Sequence, residues 1–299
     1  MAASTQFKAY TALAAVCFFW GTTYLTIKMS LEAFPPLLLV GTRFFLAGAI
    51  TLAGARLLRA PLPRGRELWL SIFNGILILG VGNCALVYSE LWIPSGLAAL
   101  ILTISPFWMV GIDAFVFKGT RLTGMTVAGM LAGFAGAALL IGPDALDAHS
   151  GAHTLAGFLV LQAGSISWTT GSLLQRRQPS QAHPIVSGGV QQLAVGMVVL
   201  VIAALVPEHP VNWNARGVGA LIYLVIFGSL VGYSAYLYAL EHLPVPIVSL
   251  YTYVNPVVAV ILGWIFYREA FTPGDAFAMA VIFVGVAIVK RHQEPASTR

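Results

Sequence analysis

Two stretches of this sequence place aromatic and hydroxyl side chains on one helix face and end that face in a cation. At helical spacing the first reads Cys17, Trp20, Gly21, Tyr24 and Lys28. The second, 148 residues later, reads Ser165, Trp168, Thr169, Ser172 and Arg176. Trp and Tyr rings can hold an apolar or cationic solute by stacking or cation–π contact. The competing reading is helix packing, since small and hydroxylated residues let membrane helices approach closely. Packing suits the hydroxyls as well as a site does, whereas the paired Trp residues favour a cavity lining. Asn83 and Tyr233 add a second pair of polar positions at matching places. Ser105 and Asn255 add a third, each directly before a proline, Pro106 and Pro256. A proline inside a helix frees a carbonyl, and a membrane helix tolerates that where a neighbour or water satisfies it. Both prolines are therefore candidate hinges. The alternative is a fixed kink in which Asn255 satisfies backbone.

Ionisable residues within apolar segments are functional suspects. Arg43 could bind a carboxylate solute, but the favoured reading is structural, with the guanidinium paired to an internal acid or carbonyl. Asp113 could carry a proton. Its position near Lys118 and Arg121 favours a place at the membrane edge instead. Glu90 and Glu241 close two apolar segments and are further candidates for charge coupling. No HExxH, GxSxG or P-loop pattern occurs, and all six His residues fall in links or the tail. The expectation is therefore a protein that is not an enzyme and that holds no metal or cofactor.

The elements that must position these residues are membrane helices. Hydrophobic residues make up 58% of the 299-residue chain, charged residues 9%, and the mean hydropathy is +0.85. A soluble domain carries about a quarter charged residues, so the lipid bilayer is the expected solvent. Ten apolar spans are expected, at roughly 9–28, 35–55, 68–89, 94–117, 124–142, 154–175, 184–206, 216–240, 245–267 and 273–290. With the N-terminus inside, twelve Lys and Arg residues fall on the inner side and three on the outer, which predicts that both termini are cytoplasmic. That bias also accounts for the net charge of +5 without nucleic acid. Cys17 and Cys84 read as small apolar fillers, and the N-terminal apolar run is too long for a cleaved signal.

The chain carries an internal repeat. Shifting it by 150 residues without gaps places "VGNCALVYSELWIP" on "VGYSAYLYALEHLP" and Pro106 on Pro256. Between positions 66 and 140, fourteen of seventy-five pairs coincide in that one register. Near the two starts the offset is 148, which pairs Trp20 with Trp168, Gly41 with Gly189 and Gly48 with Gly196. Five helices per repeat is an odd number, so the halves, 1–147 and 148–299, are expected to be inverted in the membrane. A solute site is then expected at their interface, lined by helices 1, 3, 4, 6, 8 and 9. The GxxxG of Gly129 and Gly133 reads as a packing device, within the chain or between two chains. It leaves the oligomeric state open, and a monomer suffices for the expected path.

Four stretches carry a resemblance: "FFWGTTYLTIK", "TRFFLAGAI", "SGLAALILTISPFWMVGIDAFVFKGTRLTG" and the long run from "VPIVSLYTYVNPVVAV" to "VGVAIV". In their order and spacing the chain resembles an EamA-type member of the drug/metabolite transporter superfamily, most closely the YddG-type amino acid and metabolite exporters. The resemblance implies an all-α integral membrane protein of ten helices in a bacterial inner membrane. It implies export of small metabolites, often aromatic or other neutral amino acids, by alternating access. A facilitative channel for small polar solutes, and export of cationic drugs or other metabolites, remain the alternatives. The chain departs from the usual repeat ending in its first half. Gly119 stands where the second half has Glu269, so any role of that acid is not symmetric.

Overall fold

The computed structural model describes residues 2–145, 151–178, 182–243, 245–248, 250–291 and 294–295. Pro244, His149, His292, Arg299 and the expected division at 147/148 lie outside them. Among the described residues ten helical rods follow one another: α1 Ala2–Leu31, α2 Pro36–Leu57, α3 Gly65–Ser89, α4 Ser95–Phe115, α5 Gly124–Ala145, α6 Gly151–Arg177, α7 Pro184–Leu205, α8 Ala215–His242, α9 Tyr251–Tyr267 and α10 Pro273–Arg291. Proline starts α2, α7 and α10, where a missing N–H does no harm. The rods of α1, α2, α3, α4, α7 and α8 are long and apolar enough to cross a bilayer. Shorter apolar stretches lie at Gly124–Leu140, Tyr251–Tyr267 and Pro273–Val289. The ninth rod begins at Tyr251 rather than 245, because Val245–Val248, with Pro246 inside it, forms a separate helical turn. A two-residue antiparallel pairing joins Thr120–Arg121 to Glu294–Pro295.

The packing follows a two-fold pattern. α2 lies along α7, and α5 along α10. α1 packs on α8 and α9, while its counterpart α6 packs on α3 and α4. Two apolar clusters result. One is centred on Val16, Phe44, Leu79, Leu224 and Tyr236, the other on Ile101, Phe107, Leu161, Ile282 and Val289. Small residues set the closest approaches. A Cβ on Gly48 would meet the backbone nitrogen of Leu193, and one on Gly196 that of Phe45. The repeat-paired glycines are thus the points where α2 and α7 touch backbone to backbone. Gly129 and Gly133 face Gly285 of α10, so the GxxxG packs within the chain.

The contact between α2 and α7 yields a stability test. Alanine is the better helix former by about 1 kcal/mol, but overpacking a tight contact costs about 1–3 kcal/mol. Gly48→Ala and Gly196→Ala should therefore each lower the melting temperature of the purified protein in detergent. Gly54→Ala, with nothing within 4 Å of the added carbon, should leave it unchanged or slightly raised. Equal effects at the three positions would refute the close-contact reading.

Candidate functional site

A cavity lies among α1, α3, α4, α6, α8 and α9. Trp20, Tyr24, Asn83, Ser105, Trp168, Tyr233 and Asn255 all line it, as does Pro106. The rings form a box. Trp20 and Trp168 meet edge to face with centroids 5.5 Å apart, and Tyr236 and Tyr251 stand 5.1 and 5.3 Å from Trp20. Tyr236 and Tyr251 were not among the residues expected from sequence. A signal was present for both: Tyr251 lies one helical turn before Asn255, and Tyr236 one turn after Gly232.

Each Trp is seated on the opposite half. The Trp20 indole nitrogen donates to the Gly228 carbonyl at 3.0 Å. A Cβ on Gly232 would stand 2.5 Å from that nitrogen, and one on Gly82 would stand 3.0 Å from the Trp168 ring. Gly82 and Gly232 are repeat partners, and each follows a wide π-helical segment, Ile76–Val81 in α3 and Leu224–Val231 in α8. Such segments recur at functional sites.

The hydroxyls behave as packing groups. Those of Thr23 and Thr26 donate to the carbonyls of Trp20 and Thr22 on their own helix. Ser105 does more. Pro106 has no N–H to offer the Leu102 carbonyl, and the Ser105 hydroxyl donates to it at 2.6 Å. Ser165 in turn donates to Ser105 at 2.8 Å. In the orientation its surroundings favour, the Asn255 amide donates to the carbonyls of Cys17 and Tyr251, each at 3.0 Å, tying α9 to α1. Pro256 is buried beside it.

Arg43 brings α2 to the cavity wall, a helix not expected there; its long side chain makes the reach. The residue is 5% exposed. Its Nε donates to Ser229 at 2.8 Å, its Nη1 approaches Asn83 at 3.4 Å, and its guanidinium lies 4.9 Å from the Phe44 ring centre. Among the described residues no carboxylate forms an ion pair with it. The repeat partner Gln191 makes the equivalent contact, accepting from Tyr233. The cavity thus holds one buried cation, aromatic rings and amides.

The other ionisable candidates stand away from it. Asp113 pairs with Arg177 at 2.6 Å near the end of α4. Glu241 is 54% exposed in its side chain, with His242 3.9 Å away. Glu90 is buried just past α3. Near it, Glu269 accepts from Lys28 at 3.0 Å, from the Ser95 amide at 3.0 Å and from the Gly96 amide at 2.9 Å. It thereby caps the N-terminus of α4. Burial works to raise the Glu269 pKa, but the Gly96 amide and Lys28 outweigh it and hold the carboxyl below its ordinary value.

Known proteins share this architecture. A solved crystal structure with 22% sequence identity superposes with a TM-score of 0.69, over 96% of this chain and 98% of that one. The inner membrane transporter YedA of Escherichia coli strain K12 is 32% identical over 93% of this chain and 89% of its own length. Protein PecM of Dickeya dadantii is 27% identical over 91% and 88%. A probable amino-acid metabolite efflux pump of Escherichia coli strain K12 is 26% identical over 72% of each. The EamA-like transporter family matches twice, over residues 7–142 and 155–291. With both halves matched and the helices packed around one aromatic cavity, this chain belongs to the EamA-like transporter family.

Proposed function

We propose that the protein exports amino acids with aromatic or other neutral side chains across a bacterial inner membrane, by alternating access through the cavity between its halves. The observation that carries the reading is the Arg43 guanidinium, buried without an acid partner beside the Trp20–Trp168–Tyr236–Tyr251 box. A buried cation lacking a carboxylate attracts one from the solute. The rings accept the apolar body and, by cation–π contact, the ammonium. The same cation repels cationic drugs, which weighs against that alternative. The inner membrane location and the efflux direction draw on the names of the relatives YedA and the amino-acid metabolite efflux pump.

The mechanism follows from the repeat. Residues 1–147 and 148–299 act as two inverted units of five spans, with both termini cytoplasmic, and one unit rocks against the other. Pro106 and Pro256 are the hinges of α4 and α9, opening one end of the cavity at a time. The lining residues Trp20, Tyr24, Asn83, Ser105, Trp168, Tyr233 and Asn255 then contact the solute in turn.

Counterflow in proteoliposomes tests the reading. Vesicles loaded with unlabelled amino acids should show a transient overshoot of labelled Phe, Met or Thr. Two aromatic contacts are worth about 0.5–1.5 kcal/mol each, so Trp20→Ala with Trp168→Ala should raise the KM for Phe about tenfold. Unchanged kinetics in the well-folded double variant would refute the site.

Arg43 gives a sharper test. A hydrogen bond to a charged group is worth about 1.5–3 kcal/mol, so wild-type protein should prefer Phe to phenylalanine amide by about ten- to hundredfold. Arg43→Gln should remove that preference. A ratio unchanged by the substitution would mean that Arg43 does not read the carboxylate, even if overall activity falls.

A further inference from the structure

Glu90 is a buried acid for which the cavity chemistry has no use. It follows the last residue of α3 and is 4% exposed. Among the described residues neither carboxyl oxygen has a hydrogen-bond partner. Its amide donates to Leu86, so it stands one turn beyond a residue that lines the cavity. It also closes a helix C-terminus, where the backbone dipole opposes negative charge.

The charged and titratable groups that act on Glu90 are Lys28 and Tyr24 of α1 and Glu269 at the end of α9. Lys28 already pairs with Glu269 at 3.0 Å. That pair, with the Ser95 and Gly96 amides, ties α1, α4 and the end of α9 together. An ionised Glu90 would place a second carboxylate beside one ammonium and leave a net negative charge in a buried place. Burial pushes the Glu90 carboxyl well above its ordinary value; Lys28 opposes this and Glu269 adds to it. Two neighbouring acids thus stand in opposite settings, one ion-paired and hydrogen-bonded, the other without a donor among the described residues.

The geometry points to Glu90 as the binding site of a proton that the protein exchanges for its solute. This rests on the export reading above. With Glu90 neutral, Lys28 stays on Glu269 and the latch at this end is shut. When the cavity opens at the opposite, cytoplasmic end, water reaches past Leu86 and Tyr24. The Glu90 O–H bond breaks, the proton passes to that water, and the carboxylate draws Lys28 from Glu269. The latch loosens and the solute leaves outward. A proton from outside then restores the neutral acid and the latch. One proton enters for each solute exported.

The test uses the full chain in proteoliposomes with the membrane potential clamped. Labelled Phe is followed by counterflow at equal pH, then as uptake into vesicles with an acid interior. The wild type should accumulate Phe about tenfold per pH unit, the ratio that one exchanged proton sets. Glu90→Gln, fixed in the neutral form, keeps the latch shut, so it should lose both counterflow and gradient-driven accumulation while binding labelled Phe in detergent within about twofold of the wild type. Glu90→Asp, which still titrates, should retain it. Infrared spectra of the wild type at neutral pH should show the carbonyl stretch of a protonated carboxyl, absent in Glu90→Gln. Accumulation by Glu90→Gln at the wild-type level, or no loss of that band, would overturn the proposal. Counterflow without any gradient response in the wild type would remove the coupling and keep the export reading. Absence of counterflow in the wild type with Phe, Met and Thr would remove both.

Discussion

The structure depends on a reciprocal contact in which each half seats its tryptophan on a glycine of the other. Trp20 lies over Gly232 and Trp168 over Gly82. A buried indole can sit here only against a surface that leaves it room, and no side chain larger than hydrogen gives that room. Both glycines follow a π-helical segment. The Gly228 carbonyl inside the second segment accepts the Trp20 N–H, so that polar group is satisfied without water. The cavity is what remains between the two seated rings, and Tyr236 and Tyr251 complete its wall.

Around that two-fold frame the two halves have diverged, and the differences sit where charge is handled. Arg43 and Gln191 occupy equivalent places and contact equivalent partners, Asn83 and Tyr233, yet only one is a cation. Glu269 caps α4 from the far end of α9, while its counterpart Gly119 has no side chain to offer. Asp113 and Arg177 fill the space beside Gly119 instead, with an ion pair from different positions. The uneven charges make one end of the cavity differ from the other.

Much of this was legible in the sequence, for reasons that can be named. The apolar runs mark the rods because a helix must bury about 20 residues to cross a bilayer. The offset of 148 paired Trp20 with Trp168 and Gly48 with Gly196, and the structure gathers these pairs at the cavity and at the α2–α7 contact. The π segments were not legible, because they change the backbone hydrogen-bond register without changing hydrophobicity. The partners of Arg43 were not legible either. An internal acid was as plausible as Ser229 and Asn83, and only the fold decides which lies within reach.

The fates of Glu90 and Glu269 show why sequence alone ranks acids at the ends of apolar spans poorly. In sequence each is a carboxyl at the end of an apolar run. In the fold, one meets the amide end of a helix and an ammonium, and the other closes the carbonyl end of a helix with neither oxygen hydrogen-bonded among the described residues. Desolvation acts on both, so the difference lies in the donors that surround them. Those donors come from α1 and α4, which meet the residue just past α9. Any motion that separated these helices would take the donors from Glu269, so on the proton-exchange proposal opening and proton binding at this end are one event rather than two.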